Sequence, residues 1–172
     1  MALSNHGSGY DVVYGAVLSV HIASAVAGFG MLGLSGLYGS AGSHLHSPKE
    51  VHDVRQFFAP RNRIGRSLWF VPFAGAIALW LEHGAAALGQ AWVGAAVACW
   101  AVAMVAAIWV VWPAEHRIRS VVVALDEAPD GEEAAGRRAA LAALCRPVVH
   151  AAALCDVVFV IAVALMVLKP GT

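Results

Sequence analysis

Four stretches of this chain are long and apolar enough to cross a membrane, and they constrain its fold more than any other feature. A hydrocarbon core of ~30 Å requires about 20 helical residues. The predicted spans cover approximately residues 12–38, 65–83, 91–113 and 148–168. Composition agrees, because 60% of the 172 residues are hydrophobic and only 13% are charged. The sequence therefore predicts an all-α polytopic membrane protein, a single transmembrane domain over residues 1–172 in which four helices form an antiparallel bundle.

The basic residues indicate the orientation of these spans. Lys and Arg are concentrated in and beside the loops 39–64 and 114–147, whereas the N-terminal tail and the turn 82–90 contain neither. Because basic loops stay in the cytoplasm, we expect both termini on the outer side of a plasma membrane. The 11 basic and 11 acidic residues balance, so the net charge gives no reason to expect a nucleic-acid partner. The expected partners are the lipid bilayer and either a larger membrane complex or a second copy.

The first cytoplasmic loop predicts a short amphipathic helix. Ser47, Pro48 and Glu50 have the form of a capping box with proline at the first helical position. Four apolar side chains then share one face: Val51, Val54, Phe57 and Phe58. We expect this helix to lie on the inner membrane surface; the alternative is that it only anchors the loop.

The second cytoplasmic loop is rich in Ala, Glu and Arg, which favours helical extensions. We expect span three to continue as a helix toward Leu125, to break at 128–131 and to restart near Glu132.

His21 and Asp156 are predicted to be the ionisable side chains deepest in the spans, apart from thiols. If span one begins near Val12, its midpoint lies near residue 22; if span four begins near Val149, its midpoint lies near residue 158. At ~1.5 Å per residue, both side chains then lie within about 3 Å of the same depth. We therefore expect a buried, hydrogen-bonded pair. It either locks span one against span four, or raises the basicity of the imidazole for proton transfer or ligand contact.

Small residues in span one predict close helix packing. The spacing of its glycines lets a neighbouring backbone approach; they are Gly28, Gly30, Gly33, Gly36 and Gly39. The approaching group is a helix of the same bundle, a second copy in a homodimer, or a flat macrocycle.

Other residues offer weaker candidates for ligand sites. His44, His46 and His52 resemble a metal-binding loop, and Glu82 with His83 forms a second candidate on the outer face. A solvated polar surface is the alternative for both.

Three arginines form a basic cluster suited to anionic lipid, with Arg66 also placed to pair with a carboxylate of the bundle; they are Arg61, Arg63 and Arg66.

The histidines do not favour a haem with two histidine ligands. His83 and His150 lie about 13 Å or more from the level of His21. We therefore expect no cofactor. A single-histidine haem b site, a haem shared between subunits or a bound metal ion stays open.

Four motifs together resemble a family of small bacterial four-span membrane proteins described only as a domain of unknown function. They are "VHIASAVAGFG" in span one, "RNRIGRSLWFVPFAG" entering span two, "WPAEHRIR" leaving span three and "MVLKP" ending span four. The resemblance implies a four-span fold in a bacterial inner membrane. Span one is also distantly similar to copper-resistance membrane proteins of the D type.

No nucleophile motif, phosphate loop or dinucleotide fingerprint is present. We expect a non-enzymatic accessory subunit or a small binding module built around His21 and Asp156. The alternative is a redox or transport protein in which the pair relays protons or contacts a haem, a quinone or a metal.

Overall fold

The computed structural model describes residues 6–45, 47–58, 64–128 and 130–169, with the backbone alone at 6–8. Over these residues the structure contains helices and no strand. The elements, in chain order, are α1 (His6–Gly42), α2 (Pro48–Phe58), a 3₁₀ segment (Ile64–Phe70) leading into α3 (Val71–His83), a short 3₁₀ turn (Ala85–Gly89), α4 (Ala91–Ala106), a π-helical segment (Ala107–Val111), α5 (Trp112–Glu127) and α6 (Glu132–Leu168).

Four helical segments are long and apolar enough to span a membrane, which confirms the all-α polytopic fold. They are Gly9–Gly42, Ile64–His83, Ala91–Glu127 and Glu132–Leu168. The predicted helical extensions are present, since α5 ends at Glu127 and α6 begins at Glu132. With 37 residues each, α1 and α6 are about 55 Å long at 1.5 Å per residue. Both helices are therefore much longer than a bilayer requires.

Helix α1 has neighbours on two sides. It packs against the 3₁₀ segment and α3 on one side and against α6 on another, and α4 packs against α6. Helices α3 and α4 make little direct contact although a short turn joins them. The end of the bundle that contains the turn Ala85–Gly89 is called the turn end. The end at which α2 lies is called the α2 end.

Helix α2 packs on the protein itself. Val51, Val54 and Phe58 are at most 5% exposed and belong to the same buried cluster as Ile118 and Val122 of α5. The expectation that α2 places its apolar face on the membrane surface is therefore wrong, because α5 and α1 already cover that face.

Polar contacts fix the start of α2 and add to its contact with α5. The predicted capping box is confirmed: Ser47 N donates to Glu50 Oε2 at 3.1 Å, and Glu50 N donates to Ser47 Oγ at 3.3 Å. Beside the apolar face, Arg55 forms an ion pair with Asp126 of α5. The amphipathic pattern thus holds α2 against α5.

Two prolines mark the places where a span changes its helix type. Pro72 has no N–H to donate to the carbonyl of Leu68, and the indole N–H of Trp100 donates to that oxygen at 2.8 Å. The ring of Pro113 crowds the carbonyl of Trp109 four residues earlier, and the π-helical segment occupies this turn. Wider helical turns of this kind accommodate a local break in the hydrogen-bond ladder.

Candidate functional site: polar side chains between the spans

His21 forms a hydrogen bond with the backbone of α3. Its ring is partly buried, and Nδ1 lies 2.8 Å from the carbonyl oxygen of Val71. Because a carbonyl oxygen can only accept, Nδ1 carries a proton in this contact, and in the neutral ring Nε2 carries the lone pair. A Cβ at Gly75 would lie 2.8 Å from the ring atom Cε1. The ring therefore occupies space that a glycine leaves open on α3.

Asp156 also lies over a glycine, but on a different helix. Its side chain is exposed on α6, and Oδ1 lies 3.2 Å from the position of a Cβ at Gly33 of α1. Within the described part of the chain, the carboxylate has no hydrogen-bond or ion-pair partner. Asp156 thus contacts α1 without a polar contact to it.

The predicted buried pair of His21 and Asp156 is not formed. His21 faces α3, whereas Asp156 meets α1 at Gly33, which is 12 residues further along the same helix. That separation corresponds to about 18 Å along the helix axis. The prediction is wrong because it takes the midpoint of each apolar run as the midplane, although α1 and α6 are much longer than a bilayer and α3 is short.

A hydrogen bond between Ser35 and Glu115 links α1 to the start of α5. Ser35 is 1% exposed, and its Oγ lies 2.5 Å from Oε1 of the partly buried Glu115. The predicted third span ends at residue 113, so the sequence places Glu115 in the loop and misses this contact. The available signal is Ser35 itself, a hydroxyl within the glycine ridge that must find a partner if buried.

Two further side chains hold the 3₁₀ segment in place. Ser67 donates from its hydroxyl to the carbonyl of Ser24 on α1 at 3.2 Å, and Trp100 donates to Leu68 as described above. Together with His21, these donors attach the 3₁₀ segment and α3 to α1 and α4. Each donor uses a backbone carbonyl of another element as its acceptor.

The glycines of α1 contact two different neighbours. A Cβ at Gly28 would lie 2.9 Å from Leu68 of the 3₁₀ segment, whereas one at Gly36 would lie 2.5 Å from the Cβ of Ala152 on α6. Gly33 and Gly39 also face α6, at 3.2 Å from Asp156 and 3.5 Å from Val149 respectively. Gly30 is exposed, and a Cβ there would meet nothing within 4 Å.

At the turn end, one carboxylate joins two helices. The hydroxyl of Tyr14 on α1 donates to Oε2 of Glu82 on α3 at 2.8 Å. Nδ1 of His83 lies 3.4 Å from the same oxygen, and both Glu82 and His83 are exposed. The arrangement is a surface contact between α1 and α3. It places Glu82 and His83, the two residues predicted as metal ligands at this end, side by side.

The histidines of the loop at the α2 end are described only in part. His44 is exposed just beyond α1, and the ring of His52 on α2 lies 3.0 Å from the amide of Gln56 and 3.8 Å from Asp126. His46 lies outside the described residues. Among those that are described, no three His, Cys, Asp or Glu side chains come together in a group able to hold a metal ion.

The basic cluster is described only at Arg66, since Arg61 and Arg63 lie outside the described residues. Arg66 is exposed in the 3₁₀ segment. It forms no ion pair with any carboxylate of the described residues. The pairing considered for Arg66 within its own bundle is therefore absent.

Comparison of the chain with protein-family models, with curated proteins and with solved structures finds no match in any of the three.

Proposed function

We propose that this membrane protein has no enzymatic activity of its own and serves as an accessory subunit or small binding module. One observation carries the proposal: three polar side chains between the spans donate to backbone carbonyls of neighbouring elements. His21 donates to Val71, Ser67 to Ser24 and Trp100 to Leu68. These groups hold helices together, and hydrogen bonds between membrane helices contribute to helix association.

The proposal includes a location. The basic residues of α5 and α6 lie on the parts of these helices that extend beyond the apolar runs at the α2 end; they are Arg117, Arg119, Arg137, Arg138 and Arg146. Basic segments beside spans stay in the cytoplasm. We therefore place the α2 end in the cytoplasm and both termini outside, and the resemblance to the four-span bacterial family implies that the membrane is a bacterial inner membrane.

A second candidate function rests on the imidazole of His21. A histidine that donates one ring N–H to a backbone carbonyl presents the other nitrogen in a fixed orientation, as ligand histidines do. Nε2 of His21 would then contact a haem, a metal ion or a quinone. In this candidate function the hydrogen bond to Val71 orients the ring, and the function of the protein depends on the ligand that Nε2 contacts.

Two substitutions of His21 separate the two candidates. His21→Asn places an amide N–H where Nδ1–H lies and has no group at the position of Nε2, whereas His21→Ala removes both. A helix-holding role predicts that the asparagine variant keeps most of the thermal stability, while the alanine variant loses about 1 kcal/mol. The wild-type protein is then expected to be colourless and to contain no metal by elemental analysis.

The opposite result would overturn the proposed function. A Soret band or a stoichiometric metal in the purified wild-type protein, lost equally in His21→Asn and His21→Ala, would assign His21 to ligand binding. His150→Ala is the matched control, since His150 is exposed and, within the described part of the chain, its ring bonds only to the carbonyl of Arg146 in its own helix.

A further inference from the structure

Two side chains of opposite charge lie on membrane spans without a partner among the described residues of their own chain. Arg66 belongs to the span Ile64–His83, and Asp156 lies on the apolar part of α6. Both are exposed, and neither forms an ion pair or hydrogen bond within the described residues. An unpaired charge facing hydrocarbon is costly, and such groups usually have a partner.

The two charges lie at nearly the same level of the bundle. Gly65 packs beside Met31 of α1, and Leu68 packs on Gly28, so Arg66 lies at the level between these two α1 residues. Asp156 lies at the level of Gly33. The difference is roughly one helical turn of ~5.4 Å, which an arginine side chain can span.

The charges cannot meet within one chain because α1 lies between them. Gly28 and Gly33, the residues contacted by Leu68 and Asp156, are five residues apart on α1. At 3.6 residues per turn they point about 140° apart around the helix. The 3₁₀ segment and α6 therefore flank α1 on different sides, and each charge faces outward from its own side.

We propose that Arg66 of one copy of this protein pairs with Asp156 of a second copy in the membrane. Copies inserted in the same orientation carry these groups at matching depth, so the partner of each charge is supplied by the protein itself. A guanidinium binds a carboxylate through two parallel hydrogen bonds, and a symmetric assembly repeats the contact at every interface. The exposed Gly30 leaves open space for an approaching helix on α1 between the two sites.

The self-association of the full chain in lipid bilayers tests this proposal. Wild-type protein is expected to form oligomers when counted by single-molecule photobleaching at high dilution in lipid. Arg66→Asp and Asp156→Arg each weaken self-association by tenfold or more, and the double variant restores it because the ion pair is rebuilt with the charges exchanged. Arg119→Gln and Asp130→Asn are matched controls, since both remove exposed charges that lie beyond the apolar runs of the chain.

Neutral cysteine variants keep the test decisive if a reversed charge prevents folding. Copies carrying Arg66→Cys and copies carrying Asp156→Cys, with the native cysteines replaced, are expected to be joined by a bifunctional thiol reagent as long as an arginine–aspartate contact, because two cysteines are too short to bridge that distance directly. Copies carrying Arg119→Cys are not expected to cross-link to Asp156→Cys.

Wild-type protein that stays monomeric, or a double reversal that fails to restore association, contradicts the proposal. Dependence on Asp156 but not on Arg66, with a different protein retained by Asp156, would instead assign the carboxylate to a basic span of that protein. The accessory role proposed above would survive either result, because it rests on His21, Ser67 and Trp100.

Discussion

The contact of His21 with α3 and the contact of Asp156 with α1 both involve a glycine, but only the first contains a hydrogen bond. In each, a polar side chain lies over a glycine of the neighbouring helix: His21 over Gly75, and Asp156 over Gly33. The imidazole reaches a carbonyl oxygen at 2.8 Å, whereas the carboxylate has no partner among the described residues. The comparison teaches that a glycine provides room for a polar group, while the available donors and acceptors decide whether that group stabilises the chain itself.

The α1–α6 contact depends more on close backbone approach than either polar contact does. A Cβ at Gly36 would lie 2.5 Å from the Cβ of Ala152, and neither group can rotate away. We expect Gly36→Ala to separate α1 from α6 and to lower the free energy of unfolding by about 1–3 kcal/mol, as overpacking does. Thermal unfolding in a mild detergent measures this. A variant as stable as wild type would show that the two helices do not approach this closely.

Gly75→Ala is expected to have the next largest effect. The new methyl group would lie 2.8 Å from the imidazole of His21, so the ring must move and its hydrogen bond to Val71 is lost. The expected loss is about 0.5–1.5 kcal/mol, the net value of one hydrogen bond. The double variant with His21→Ala checks the cause, because removal of the ring should abolish the further destabilisation by Gly75→Ala. If Gly75→Ala lowered the stability equally in the wild-type protein and in the His21→Ala variant, Gly75 and His21 would not be in contact.

Gly33→Ala should have the smallest effect of the three. Its methyl group would lie 3.2 Å from Oδ1 of Asp156, and this exposed carboxylate can rotate away without losing a hydrogen bond. We expect the monomer's stability to change by no more than about 0.5 kcal/mol. A loss as large as that of Gly75→Ala, measured in parallel, would show that Asp156 is held in place within its own chain.

The sequence predicts the fold well because hydrophobic length and helix signals are local. The four spans follow from apolar runs, and the capping box at Ser47 and Glu50 places the start of α2. The restart of a helix at Glu132 also follows from local composition. Each of these features depends on residues that are neighbours in the chain.

The site is harder to predict because it depends on how helices of unequal length are offset. Equal spans would bring His21 level with Asp156, but α1 and α6 run far beyond the bilayer and meet with Gly33 beside Asp156. The Ser35–Glu115 contact is missed for a related reason, since α5 continues the third span and directs Glu115 back toward α1. The apolar face of α2 also has two possible partners, lipid and α5, and the sequence does not distinguish them.

The central claim is that α1 contacts α6 through Gly33 and α3 through His21, so that the two polar groups belong to separate contacts. Paired cysteines in intact membranes test it most directly, in a background with the three native cysteines replaced. Gly33→Cys with Asp156→Cys is predicted to form an intramolecular disulfide, and His21→Cys with Asp156→Cys is predicted to form none. A disulfide between positions 21 and 156, with none between 33 and 156, would contradict the account.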